Sequence, residues 1–230
     1  DRTADAGHEG RSAATGKRLD RLARPILEAL IQPVLHDADA RPELTARNAT
    51  LWACRAGAPR LRDAARGLLR ALLADYLGHR PTELRLDFTP GRPARVAALW
   101  HGLPISIGIS YAAGLAVVGL CPGARIGVDV TEIAPIPDWD AVAHLYLGTA
   151  RAVRLSGMSA PERERGFALA WAELEARGKC LGLGLEEWSP ARERQLYAAS
   201  IELTTSGLPA SHTSSRANLM LALAIGGLSG

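Results

Sequence analysis

Three charged residues sit where charge is either costly or paired at close spacing. Asp129 falls inside the apolar run of residues 126–131, IGVDVT, and Glu175 and Lys179 lie four apart within residues 167–185, FALAWAELEARGKCLGLGL. A carboxylate in an apolar strand is expensive to bury unless a cation or hydrogen-bond donors face it, so Asp129 lies either at an exposed sheet edge or in a site. Glu175 and Lys179, taken alone, read as a solvated helix pair worth a few tenths of a kcal/mol. Together the three support something more specific. Two carboxylates suffice for Mg²⁺ when waters and phosphate oxygens complete its octahedron. Lys179 then neutralises a phosphate without competing as a ligand. This is phosphoryl-type chemistry, in which positioning and charge neutralisation carry most of the rate. Asp129 and Glu175 are the candidate metal ligands, and with Lys179 the candidate catalytic residues.

Other chemistries find no support. Gly178-Lys179 lacks the upstream glycine of a phosphate-binding loop and is followed by Cys180, and no GxGxxG, HExxH or GxSxG occurs. The six histidines are scattered, and Cys54, Cys121 and Cys180 are too few and too far apart for a metal cluster or a disulfide framework. That cysteine usage fits a reducing cytoplasm. Over 230 residues, 47% hydrophobic content is ample for a globular core, and 27 basic against 24 acidic residues leave no concentrated nucleic-acid footprint. An isoelectric point near 9.0 leaves anionic ligands or acidic protein partners open. The longest apolar run, residues 219–225, is far below the roughly 20 residues of a membrane span, and no signal pattern opens the sequence.

The elements that must position these residues are legible in part. Residues 1–20 mix small and charged residues without periodicity and read as a disordered leader. Residues 44–51 offer a turn or strand. Residues 60–78, RLRDAARGLLRALLADYLG, form a helix with a leucine face, and Arg60, Arg62, Arg66 and Arg70 line its other side as either a soluble surface or a binding face. Residues 83–88 alternate as a strand before a turn at residues 89–93, and residues 103–120 read as a hairpin whose first strand is half-buried with a small polar face. Residues 121–124 (CPGA) break the chain into halves, 21–122 and 123–230. Asp138 is placed to cap a helix running to about Leu155, and Ser159 with Glu162 makes a capping box for the helix that carries Glu175. That helix has an oily stripe of Phe167, Ala170, Trp171, Leu174, Gly178 and Leu181, a neighbouring stripe of Ala168, Ala172, Glu175 and Lys179, and glycine stops at 182 and 184. Two strands, residues 196–203 and 218–225, close the chain. The fold expected is α+β, a pseudo-twofold duplicated domain whose halves each pack a small, largely antiparallel sheet against helices.

The order of these pieces resembles the 4'-phosphopantetheinyl transferases of the long, surfactin-synthetase-activating type, over roughly residues 60–225. The family's G-(I/V)-D-(I/V)-E is matched by Gly127, Val128, Asp129 and Val130, its W-x-x-K-E-x-x-x-K by Trp171, Glu175 and Lys179, and its glycine-basic-proline turn by Gly91, Arg92 and Pro93. The resemblance implies a monomer that binds coenzyme A and Mg²⁺ between its halves. Such an enzyme moves the phosphopantetheine arm onto a serine of an acyl or peptidyl carrier protein. It further implies Asp129 and Glu175 as Mg²⁺ ligands, Glu175 as base, and Lys179 and Arg92 on coenzyme A phosphates, with Ser110, Tyr111, Arg62 and Arg66 as further coenzyme A contacts. Four positions depart from the family pattern: Thr131 replaces a glutamate, Leu174 a lysine, Tyr111 a histidine, and residues 146–150 (YLGTA) lack an acidic position. The alternatives are a chain of this fold that binds coenzyme A or a carrier without transfer, or with altered chemistry, and an unrelated basic binding module.

Overall fold

The computed structural model of the chain describes residues 34–57, 59–89, 94–198, 200–208 and 217–228. The expected leader and Arg92 lie outside the described residues. Among the described residues ten strands and five α-helices follow: β1 Leu35–Asp37, β2 Thr50–Arg55, α1 Leu61–Leu77, β3 Leu86–Asp87, β4 Arg95–Val96, β5 Leu99–Trp100, β6 Leu103–Ala112, β7 Leu115–Pro122 and β8 Arg125–Glu132. After these come α2 Trp139–Val142, α3 Thr149–Ser156, α4 Ala160–Leu181, α5 Pro190–Ala198, β9 Ile201–Leu208 and β10 Leu219–Gly226.

Two sheets form the centre of the fold. The first has strand order β1-β2-β7-β6-β5, antiparallel except for the β1/β2 pair, and the second is the antiparallel sheet β8-β10-β9. Every residue of β7 is buried, because both of its faces are covered. Ala116, Val118 and Leu120 point toward α1 and its Leu69, Leu72 and Leu73. Leu115 and Val117 point the other way, onto Val128 and Val130 of β8 and Leu219 and Leu221 of β10. On the far side of the second sheet, Met220, Ala222 and Ala224 pack against Ala168, Ala172, Ala176 and Cys180 of α4. The result is four layers, helix, sheet, sheet, helix, a mixed α+β architecture with each sheet backed by a helix.

The alternation in residues 103–110 predicts one wet face, and the structure covers its second half, Gly108 and Ser110, while Pro104 stays exposed. Gly108 and Gly119 are register partners on β6 and β7, and a Cβ at Gly108 would stand 2.7 Å from Val128 Cγ2. Two glycines side by side thus make the recess into which β8 settles. The strand expected over residues 83–88 shrinks to β3, preceded by a 3₁₀ turn at Pro81–Glu83. Strand β2, only hinted at by residues 44–51, lies inside the first sheet between β1 and β7, with Trp52 fully buried and its Nε1–H donating to Ala40 O at 3.0 Å.

Two further expectations are corrected in the second half. The helix from Asp138 to Leu155 is broken: α2 passes into a π turn at Ala143–Leu147, and Gly148, at φ 85°, separates it from α3. Asp138 makes no side-chain cap bond. The strand over residues 196–203 begins only at Ile201, because Pro190 opens α5 and carries helix as far as Ala198.

Cysteine burial gives a direct check on this packing. All three cysteines are buried and free, and desolvation pushes the Cys121 thiol from 9.0 up to about 12. Alkylation of the folded protein at mildly alkaline pH is therefore expected to leave Cys121 unmodified until denaturant is added. Labelling of the native protein at Cys121 would contradict the packing. The linkage sign follows: the native state holds the proton more tightly than the unfolded chain, so this stabilisation is complete below about pH 9 and is lost as pH rises toward about 12.

Candidate functional site

The site begins with a close approach between β8 and α4. On β8, Ile126, Val128 and Val130 face the inter-sheet core, so Gly127, Asp129 and Thr131 face the helix. A Cβ at Gly127 would stand 1.9 Å from Ala176 O and 2.5 Å from Cys180 N. Only a glycine lets the helix backbone lie this close to the strand. The helix meets it with its small residues, while Phe167 and Leu174 of the oily stripe are buried as the sequence predicts. The oily stripe turns away from the sheet: Phe167 and Leu174 join Leu147, Leu155 and Leu196 in a separate cluster, and the Phe167 and Trp171 rings stack with centroids 5.9 Å apart. Leu174, at the position of the family's lysine, is 8% exposed and belongs to that cluster. The sheet-facing stripe is the one carrying Ala168, Ala172, Glu175 and Lys179. The capping box at Ser159 and Glu162 and the left-handed Gly182 bound α4 as the sequence predicts.

This contact brings the three charged residues together. Lys179 Nζ lies 2.6 Å from Asp129 Oδ1 and 3.5 Å from Glu175 Oε2. Asp129 is 5% exposed, although β8 is an edge strand of its sheet. Its burial is compensated by three donors: the Lys179 ammonium, the Ser110 hydroxyl at 3.0 Å on Oδ1, and the Thr131 hydroxyl at 2.7 Å on Oδ2. Ser110 is fixed in turn by the Val130 N–H, which donates to its Oγ at 3.1 Å. Ser110, expected to face a cofactor, thus supports Asp129 from the adjacent sheet. Thr131 was legible as a strand-face neighbour of Asp129 at two-residue spacing; its role as a donor was not.

Glu175 and Lys179 open onto a cleft of about 430 Å³ between the layers, whose other wall carries Arg62, Arg66 and Tyr111. The Arg62 guanidinium lies 5.0 Å from the Tyr111 ring centroid, and that of Arg66 lies 4.7 Å from the Phe88 ring. Stacking holds both guanidiniums flat while leaving their N–H edges for an acceptor. Burial pushes the Tyr111 phenol above its ordinary value, with the Arg62 and Arg66 charges opposing the shift, so Tyr111 remains a hydrogen-bond donor at neutral pH. Asp129 does not line the cleft; it stands behind Lys179. Phe88, Leu183 and Leu185 complete the walls and were not anticipated from sequence.

The donor set suits a hard cation. Two carboxylates converge on one ammonium, and all their donors are oxygens, as Mg²⁺ prefers. Among the described residues no group of three or more His, Cys, Asp or Glu is placed to hold a metal. With Lys179 on Asp129 Oδ1, that oxygen becomes available to a metal only as the ammonium moves off it.

The Asp129–Lys179 pair yields a stability prediction. Lys179→Met removes the charged donor and leaves Asp129 with two hydroxyls. The lysine side chain is 33% exposed, which keeps the loss below that of a fully buried pair. Urea denaturation is expected to show about 1–2 kcal/mol of destabilisation at neutral pH. An unchanged midpoint would mean that the ammonium contributes nothing to holding the Asp129 charge.

Comparison with known proteins bears on the same segment. Residues 125–219, from β8 through α4 to the start of β10, match the family profile described as the 4'-phosphopantetheinyl transferase superfamily. Over 123 residues, 53% of this chain, the sequence is 24% identical to the 4'-phosphopantetheinyl transferase HetI of Nostoc sp. (strain PCC 7120 / SAG 25.82 / UTEX 2576), with 52% of that protein covered. The chain thus spans about half the length of this curated relative.

Proposed function

We propose that the chain, whose β8-to-β10 segment matches the 4'-phosphopantetheinyl transferase superfamily, transfers the 4'-phosphopantetheine arm of coenzyme A to a serine of an acyl or peptidyl carrier protein. The observation that carries the reading is the cleft itself. A carboxylate, Glu175, and three cations, Lys179, Arg62 and Arg66, share one pocket with the donor Tyr111. Coenzyme A is a polyanion with a pyrophosphate, and it needs this excess of positive charge near a base.

In the reaction the carrier serine Oγ forms a bond to the β-phosphorus of coenzyme A while the bond to the bridging oxygen breaks and 3',5'-ADP leaves. Glu175 accepts the serine proton as the new bond forms. Lys179 neutralises charge that builds on the transferred phosphate, and Arg62 and Arg66 hold the remaining phosphates in line. Asp129 and Glu175 would hold Mg²⁺, which would supply charge neutralisation between the phosphates. Asp129, held by Ser110 and Thr131, keeps its orientation when Lys179 turns to the substrate. The backing of each sheet by one helix supports the pseudo-twofold duplication, and the surfactin-synthetase-activating type rests on the order of sequence motifs. Dependence on coenzyme A favours a cytoplasmic setting, and the monomeric state is what the family resemblance implies. No helix among the described residues is long and apolar enough to cross a membrane.

One observation favours a second reading. Lys179 is engaged by both carboxylates, and Thr131 offers a hydroxyl where the family pattern has a third acid. A chain locked in that state binds coenzyme A without transferring it. Chromatographic detection of 3',5'-ADP separates the two readings. Release that requires both Mg²⁺ and an apo-carrier supports transfer; calorimetric binding of coenzyme A with no release supports the binding protein.

A further inference from the structure

We propose that Arg192, on α5, is a positioning residue that fixes the cleft wall formed by residues 183–185 beside Glu175; the inference rests on the transfer reading above. Among the described residues the buried polar or charged side chains are Ser110, Asp129 and Arg192. The first two belong to the carboxylate cluster already described, so the third needs its own account. Its guanidinium donates to Gly184 O and, at 3.1 Å, to Gln195 Oε1, and lies 3.7 Å from Glu186 Oε2. Gly184 sits between Leu183 and Leu185, and all three line the cleft with Glu175 and Lys179. Arg192 lines a narrow pocket together with Leu174, Glu175 and Gly178, next to the cleft but not among the residues that line it.

Two further bonds hold the same stretch of main chain. Leu183 N–H donates to Gly178 O at 2.8 Å, which closes the end of α4, and Trp188 N–H donates to Leu145 O at 2.7 Å. Arg192 supplies the anchor between them, at the point nearest the ligand space. Burying a guanidinium is costly, and an apolar residue of similar volume would stabilise α5 as well or better. A charge spent on one main-chain carbonyl instead fixes the position of that carbonyl. Leu183 packs against the cluster of Phe167, Leu174 and Leu196, but Leu185 is 49% exposed, so its position relative to Glu175 is held by the anchor from α5 rather than by its own packing.

The consequence is a split between binding and chemistry. Loosening residues 183–186 widens the wall without moving Glu175 or Lys179, which are set by the contact of α4 with β8. Arg192→Met is expected to raise KM for coenzyme A roughly 10-fold with kcat within about 2-fold of the parent. Arg192→Lys, which keeps one donor for Gly184 O, is expected to recover part of the loss. Amide hydrogen exchange at residues 183–187 should quicken in the Met variant and slow again in the Lys variant. A purely structural role predicts the reverse: faster exchange spread along α5, a lowered melting temperature and an unchanged KM, and that outcome would overturn the proposal. Unchanged exchange at residues 183–187 in Arg192→Met would overturn it equally. A parent protein that transfers nothing refutes the transfer reading and, with it, a positioning role in that reaction; an active parent with unaffected variants refutes only the role of Arg192.

Discussion

Glu175→Gln is expected to lower the transfer rate by about 10²–10³-fold while leaving the thermal unfolding transition in place. The two effects separate because they draw on different interactions. In the resting protein Glu175 contributes a partly exposed contact to Lys179 at 3.5 Å, the kind of helix pair worth a few tenths of a kcal/mol. The amide keeps the size and one acceptor oxygen, so the fold loses almost nothing. In the proposed reaction the same carboxylate would take a proton and balance the cations facing it, and neither role would survive loss of the charge. Steady-state transfer to an apo-carrier, with calorimetric titration of coenzyme A as the control, measures the separation. Transfer retained at near-parental rate would remove Glu175 from both the metal and the base assignment.

Gly127→Ala is the substitution expected to damage the protein most. The new Cβ would meet main-chain atoms at 1.9 Å and 2.5 Å, and main chain cannot rotate out of the way as a side-chain tip does. Helix α4 must lift from β8 or slide along it. Either motion breaks the alanine interface with β10 and draws Lys179 away from Asp129. Overpacking of this severity costs about 3 kcal/mol or more. Gly67→Ala on α1 serves as the opposite control. Nothing lies within 4 Å of its Cβ position, and alanine is expected to gain roughly 0.5–1 kcal/mol there. Chemical denaturation of both variants distinguishes a packing effect at Gly127 from a general intolerance of alanine. A Gly127→Ala protein of parental stability would show that the helix does not sit on the strand at this distance.

Gly127 also marks where sequence reasoning stopped. The alternation of residues 126–131 revealed the strand and the face carrying Asp129, and the three-and-four spacing after Ser159 revealed the helix and its Glu175/Lys179 stripe. Hydrophobic patterning, however, ranks residues by size. It placed Phe167 and Leu174 in a core, where they lie, but gave no sign that the sheet itself takes the alanines, because a close approach needs small side chains and a glycine opposite. The same limit hid β2. Residues 50–55 are covered on both faces, so they carry no alternation, and their place in the sheet depends on β1 and β7, far away in sequence. Arg192 was invisible for a further reason. The sequence reading placed no helix over residues 190–198, and nothing local distinguishes the one arginine of that arginine-rich stretch that turns inward onto Gly184 O. The pairing of Ser110 with Asp129 likewise joins two strands from different sheets, a contact no spacing rule contains.

The central claim, that this cleft passes the phosphopantetheine arm to a carrier, is tested most directly by weighing the acceptor. Apo acyl and peptidyl carrier proteins would be incubated with the protein, coenzyme A and Mg²⁺, and their intact masses read by mass spectrometry. The account predicts that at least one carrier gains the mass of a single phosphopantetheine group, and that the gain disappears when its acceptor serine is replaced by alanine. Carriers of unchanged mass, in the presence of a protein that still binds coenzyme A, would contradict it.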